Sequence, residues 1–279
     1  MRMNSTLSLL LLAAPLAFML AFFVTPFGIV AADSVNDGKG ALTWAHYAKA
    51  LGEAYYWDTL FYTFRMSLLV VLFSFLIGYP LAYFIVRQVR SRLVRSLLYI
   101  VVITPLFTSN IVRSFGWMVL LGRRGLVNDG LVASGLVDAP LPLLYGTFSI
   151  VLGLTYIMTP FIVLTVASVL QGIDRSYEEA ARDLGATPWA AFTKVTFPLS
   201  LPGVVAGSLI VFTLSVSAYV TPSILSGGRQ NVTSMLIFQQ YGVVLNFQFG
   251  AALAIVLLAT TLLLVMGYLF ALNRSRRLA

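Results

Sequence analysis

The 279-residue sequence contains no cysteine and one histidine, His46. The first absence excludes disulfides, thiolate metal centres and a cysteine nucleophile. The single histidine cannot make a histidine-rich metal site, nor a Ser-His triad within the membrane part, and a lone histidine in a polar loop reads as a solvated side chain. Charge is scarce as well: Asp, Glu, Lys and Arg make up 10% of the residues, against roughly 25% in a soluble domain. Acids are all but missing from the apolar stretches, and Arg113 is the one clear charge within them. That argues against the ion-coupling carboxylates of a secondary transporter, and no inverted repeat is evident. There is no Gly-x-x-x-x-Gly-Lys-Ser/Thr phosphate loop, and Lys39, Lys49 and Lys194 stand in no such setting, so ATP hydrolysis is not expected of this chain. No acid–base pair or metal cluster of an embedded enzyme is visible either.

What the sequence has is apolar length. Hydrophobic residues make up 59% of it, as in a polytopic membrane protein. Six segments reach the roughly 20 residues that a helix needs to cross the hydrocarbon layer: 7–30, 67–86, 96–121, 148–170, 203–225 and 250–272. Backbone groups in lipid must be bonded internally, so the fold class is all-α with six transmembrane helices. The first segment is long for a signal peptide and is read as an uncleaved helix. The net charge of +8 lies in short clusters beside apolar runs, which sets orientation and does not suggest nucleic acid. Eleven basic residues fall on one side: Arg2, Arg87, Arg90, Arg92, Arg95, Arg175, Arg182, Lys194, Arg274, Arg276 and Arg277. Six fall on the other, over longer loops: Lys39, Lys49, Arg65, Arg123, Arg124 and Arg229. Both termini are therefore expected in the cytoplasm, with loops around 31–66, 122–147 and 226–249 outside. Trp44, Tyr47, Tyr55, Tyr56 and Trp57 precede the second segment, as an interfacial aromatic belt or as a docking surface for an outer partner.

Between the fourth and fifth segments lies a polar island, 171–202. Ser176 followed by Glu179 reads as a capping box, with Glu178 and Glu179 in a first helical turn and Gly185 as a left-handed stop. This spacing predicts a helix near 177–184. Thr187 and Pro188 suit the cap and first position of a second short helix, which Pro198 and Pro202 are expected to end. The two short helices make either a rigid protrusion that another protein grips or a connector lying on the membrane surface.

Glu179-Ala180-Ala181, then Gly185 after three residues, then Val195-Thr196-Phe197-Pro198 after nine more, resembles the EAA signature of ABC importer permease subunits. The family pattern has Ile and Leu where this chain has Val195 and Phe197. Arg113-Ser114-Phe115-Gly116-Trp117, Gly125-Leu126-Val127-Asn128 and the run from Ala218 to Gly228 resemble the spermidine/putrescine branch, over nearly the whole chain. The resemblance implies a type I ABC importer permease fold with a cytoplasmic coupling helix, forming one permease domain over 1–279. It implies half of a pathway for a small polar or cationic solute, most directly a polyamine; iron, phosphonate or opine compounds are the alternatives within that branch. It implies as partners a second, homologous permease, a cytoplasmic ABC ATPase dimer, a periplasmic solute-binding protein and the lipid of a bacterial inner membrane. No cofactor is expected on this chain, ATP and Mg being held by the ATPase. The coupling residues carried over are Glu178, Glu179, Ala180, Ala181, Asp183 and Gly185.

Asn110, Arg113, Ser114, Trp117, Tyr219, Thr221 and Ser223 are candidates for lining the pathway. The competing reading is interhelical hydrogen bonding, worth about 0.6 kcal/mol each. Arg113 would repel a polycation, so it is expected to pair with a carboxylate or carbonyls. Trp117 and Tyr219 are placed to offer cation–π contacts.

Overall fold

The computed structural model describes the backbone of residues 5–278 and the side chains of 12–271. Arg2 lies outside the described residues, as do the side chains of Arg274, Arg276 and Arg277. The chain forms two compact units, one joining residues 1–60 to 233–279 and the other covering 61–232. Among the described residues, five helical runs are long and apolar enough to cross a membrane, and a bent pair makes six when counted as one span.

Helix α1 (Ser5–Met19) continues through a π turn, Leu20–Val24, into α2 (Thr25–Ser34). Helix α3 (Ala45–Gly52) ends where Glu53 turns extended, and α4 (Ala54–Tyr83) starts at once. The second span therefore begins well before Ser67, and Tyr55, Tyr56 and Trp57 lie in its first turn and not ahead of it. Asp58 and Arg65 lower the apolar signal there without stopping a helix.

Helix α5 (Arg92–Ile103) is capped by Ser91, whose side chain accepts from the Val94 N–H. A 3-10 turn, Thr104–Phe107, then leads to α6 (Asn110–Leu121) and α7 (Leu126–Ala133). The expected single helix over 96–121 is thus corrected to two pieces meeting at 98°. Pro105 brings no N–H to the helical ladder and Thr108 is extended, so the α5 register cannot pass through. The loop after α6 is held by Asn128, whose side chain is wholly buried. Its Nδ2 donates to the Gly122 and Leu141 carbonyls at 2.9 and 3.1 Å, and its Oδ1 accepts from the Leu141 N–H at 2.8 Å. Asn128→Leu removes all three bonds and strands the Leu141 N–H, while the Gly122 and Leu141 carbonyls keep the N–H groups of Gly125 and Leu143. It is expected to cost about 3 kcal/mol locally, seen as faster proteolysis of 122–147 with the spans intact.

Helix α8 (Thr147–Gly172) is the axis of the larger unit; Ile150, Leu154, Ile162, Val163, Val166 and Leu170 along it are almost fully buried. The polar island follows as α9 (Ser176–Asp183) and α10 (Pro188–Ala191). A π turn, Phe192–Thr196, leads into α11 (Phe197–Val216). Pro198 and Pro202 do not end this run, contrary to the sequence expectation. The π turn resets the hydrogen-bond register just ahead, so Pro198 falls in a first turn where no donor is needed. Helix α11 approaches α8 through glycines: a Cβ on Gly203 would lie 2.8 Å from the Thr165 carbonyl oxygen, and one on Gly207 2.3 Å from Thr165 Oγ1. Such close backbone approach is how helices associate in lipid, where burial of apolar surface gives little drive.

The fifth span also breaks. Helix α11 stops at Val216, and α12 (Val220–Leu225) follows Tyr219. In the smaller unit, α13 (Thr233–Gln239) leads through a π turn, Gln240–Val244, to α14 (Phe247–Leu278). Ala50, Leu236, Phe249 and Leu253 form that unit's core. Tyr56 packs edge-on against Phe249 at 5.3 Å, and Lys49 Nζ sits 4.8 Å above the same ring.

Candidate functional site

The island is a capped and exposed unit. Asp174 Oδ1 accepts from the Ser176 N–H at 2.9 Å, so Ser176 is the first helical residue and the expected Ser176–Glu179 capping box is not formed. The preceding Asp has taken the capping role. That backbone N–H, followed by the Ser176 side chain, holds the Asp174 carboxyl below its ordinary range. Glu178 and Glu179 lie in the first turn, as expected. The helix closes in a Schellman motif: the Ala186 N–H bonds to the Ala181 carbonyl at 3.0 Å and the Gly185 N–H to the Arg182 carbonyl at 2.9 Å. Gly185 has φ +87°, and a Cβ placed there would meet open space. Thr187 Oγ1 accepts from the Ala190 N–H at 3.2 Å, which caps α10 as its sequence position implies. Around this scaffold Leu184 is 89% exposed, Trp189 72% and Tyr177 59%. Glu179, Ala180 and Asp183 are exposed as well, and Ala181 is half-buried.

Glu178 behaves differently from its neighbours. Its side chain turns inward, with Oε1 3.1 Å from Arg87 Nε and accepting from Thr196 Oγ1 at 2.9 Å. The Arg87 contact is an ion pair by proximity, with the Nε–H off the hydrogen-bond line. Arg87 Nη2 donates to the Ile173 carbonyl at 3.1 Å, and Arg175 Nη2 donates to the Arg87 carbonyl at 3.1 Å. A polar cleft of about 250 Å³ lies over these residues, bordered by Gln88, Glu179 and Arg182. Beside it Tyr79, Tyr83, Phe192 and Phe197 pack with ring centres 5.3–6.2 Å apart. Tyr79 Oη and Ser200 Oγ share a buried hydrogen bond of 2.9 Å.

The pathway candidates gather where the third and fifth spans break. Ser114 of α6 and Thr221 of α12 are buried and bonded to each other at 3.1 Å, which is the interhelical alternative. Ser114 Oγ also donates to the Asn110 carbonyl at 2.8 Å, and Ser223 Oγ to the Val220 carbonyl at 2.8 Å. The Arg113 guanidinium bonds back to the Pro105 carbonyl and to Asn110 Oδ1. It therefore closes the 98° bend with carbonyl partners. Trp117 packs edge-on against Tyr156 at 5.7 Å, and Tyr219 is half-buried at the start of α12. Asn110 alone of the seven is largely exposed.

The pattern of the family described as "Binding-protein-dependent transport system inner membrane component" matches residues 74–278. The chain belongs to this family. It is 30% identical to the spermidine/putrescine transport system permease protein PotB of Escherichia coli K12, over 84% of this chain and 82% of that protein. It is 32% identical to PotB of Haemophilus influenzae, over 76% of this chain and 72% of that one. A chain of the bacterial alginate ABC transporter, solved with its alginate-pentasaccharide-bound periplasmic protein, shares the fold: TM-score 0.77 at 20% identity, over 98% of this chain and 94% of that chain. The protein is thus a multi-pass inner-membrane permease with the helical fold of ABC importer membrane subunits.

Three residues of the permease site escaped the sequence. Arg87 and Arg175 read only as orientation charges, and Thr196 only as part of the signature's tail. The available hint was that Arg87 directly ends an apolar run, where a charge needs a partner. Nothing local points to Glu178 as that partner.

Proposed function

We propose that this permease forms half of the translocation pathway of an ATP-driven importer for polyamines of the spermidine/putrescine type. The other half is a second, homologous permease. Two cytoplasmic ATPases hold ATP and Mg, and a periplasmic binding protein delivers the solute. The chain acts as one permease domain with both termini in the cytoplasm and no cofactor of its own. The exposed island is the handle that the ATPase grips, through Glu179, Ala180, Ala181, Asp183 and Gly185.

The observation that carries this reading is the island itself. It presents Leu184, Trp189 and Tyr177 to water on a short, doubly capped scaffold. Exposed aromatic and aliphatic anchors on a rigid element are what a protein partner buries. A helix lying on lipid would need a longer apolar stripe, and the exposed Glu179 and Asp183 would face anionic headgroups. The identity to PotB, across most of both chains, supports the choice of solute. ATP-driven closure of the ATPases draws the two islands together and shifts a two-state pore between inward- and outward-facing forms.

The test is to purify the permease with its cytoplasmic partner, reconstitute it, and measure ATP hydrolysis with spermidine- or putrescine-loaded binding protein. Stimulation by a polyamine supports the reading in full. Stimulation by another small solute replaces the substrate, and failure to co-purify with any nucleotide-hydrolysing protein overturns the role of the island.

A further inference from the structure

We propose that Arg87, Glu178 and Thr196 form a latch that makes the island and the ends of two spans move as one body. The proposal rests on the reading that the island engages an ATPase, and it assigns positioning roles, not contact roles, to these three residues.

The latch joins three separate elements. Arg87 lies in the π turn Phe84–Gln88 at the end of the second span, Glu178 in the first turn of α9, and Thr196 at the last position of the π turn before α11. Glu178 Oε1 serves both others at once, 3.1 Å from Arg87 Nε and 2.9 Å from Thr196 Oγ1. The Arg87 side chain is 8% exposed, that of Glu178 13%, and Thr196 is fully buried. A return tie runs the other way, from Arg175 at the root of α9 to the carbonyl of Arg87.

Burying such a pair adds little net stability, because desolvating both charges offsets their attraction. What it does provide is a fixed geometry. A push on α9 cannot tilt the island on its root without breaking the Arg87 and Thr196 contacts together. The push instead reaches the second and fifth spans. Without the latch, α9 still docks, but its motion is absorbed at the joints around Asp174 and Ala186.

A merely structural ion pair and a force-transmitting one differ in what neutralising both partners does. In the complete transporter, Glu178→Gln or Arg87→Gln alone strands a buried charge and lowers the thermal midpoint. The double variant Arg87→Gln/Glu178→Gln removes both charges and recovers that midpoint. The latch predicts that the double variant, in proteoliposomes, still accumulates roughly fivefold or more less spermidine per ATP hydrolysed than the unmodified transporter. Arg87→Lys, which keeps the charge, should recover part of the loss. A double variant that couples as well as the unmodified transporter overturns the latch alone. An unmodified island that cross-links to no ATPase overturns the functional reading and the latch with it.

Discussion

Gly185→Asp is expected to abolish polyamine uptake in a transporter that is still folded and inserted. The fold tolerates the change because a Cβ at Gly185 meets nothing within 4 Å. The cost within the chain is the left-handed backbone, φ +87°, about 1–2 kcal/mol for a residue with a side chain. The cost to docking is larger. Gly185 is exposed between Leu184 and Trp189, so the added carboxylate falls between the apolar anchors, where a partner would bury it unpaired. That carries a penalty of several kcal/mol and a loss of affinity on the order of a hundredfold or more. The measurement is ATP hydrolysis stimulated by loaded binding protein, beside the amount of inserted permease. Normal stimulation in this variant would remove Gly185 from the coupling surface.

Gly207→Leu should have the opposite profile, with too little folded protein to assay. A Cβ at Gly207 would lie 2.3 Å from Thr165 Oγ1 and 3.0 Å from Ile162 Cδ1, and Gly203 one turn earlier is as tightly set against α8. Two glycines one turn apart leave α11 no direction in which to retreat. Overpacking of this kind costs about 3 kcal/mol or more, and α8 is the buried axis that the rest of the larger unit packs on. The readout is monodisperse protein recovered after extraction, and its thermal midpoint. Gly116→Ala is the control, since a Cβ there meets open space; it should be neutral or gain up to about 1 kcal/mol from helix propensity.

These contrasts show which parts of the molecule can be read from its residues. Composition and apolar length suffice for an all-helical membrane fold, because lipid leaves the backbone few alternatives. The island was legible to within a residue at α9, because its stops are chemical: Gly185 for the left-handed turn and Thr187 for the second cap. The third span was not, because the apolar residues on either side of Thr104-Pro105 and Thr108-Ser109-Asn110 together reach spanning length, and only the geometry shows the chain turning by 98° there. Pro198 misled in the other direction, since a π turn placed just before it cancels its usual effect. Glu178 shows the deeper reason. Its local pattern is the same as that of Glu179, and only tertiary contact with Arg87 separates an inward residue from an outward one.

Thr196 and Glu178, eighteen positions apart in the chain, are bonded to each other, so the length of chain between them is fixed. They are hook and eye of a single fastening, and the residues between them are a strap cut to length. One residue inserted beside Ala186 would leave every helix able to form and still carry the eye past the hook.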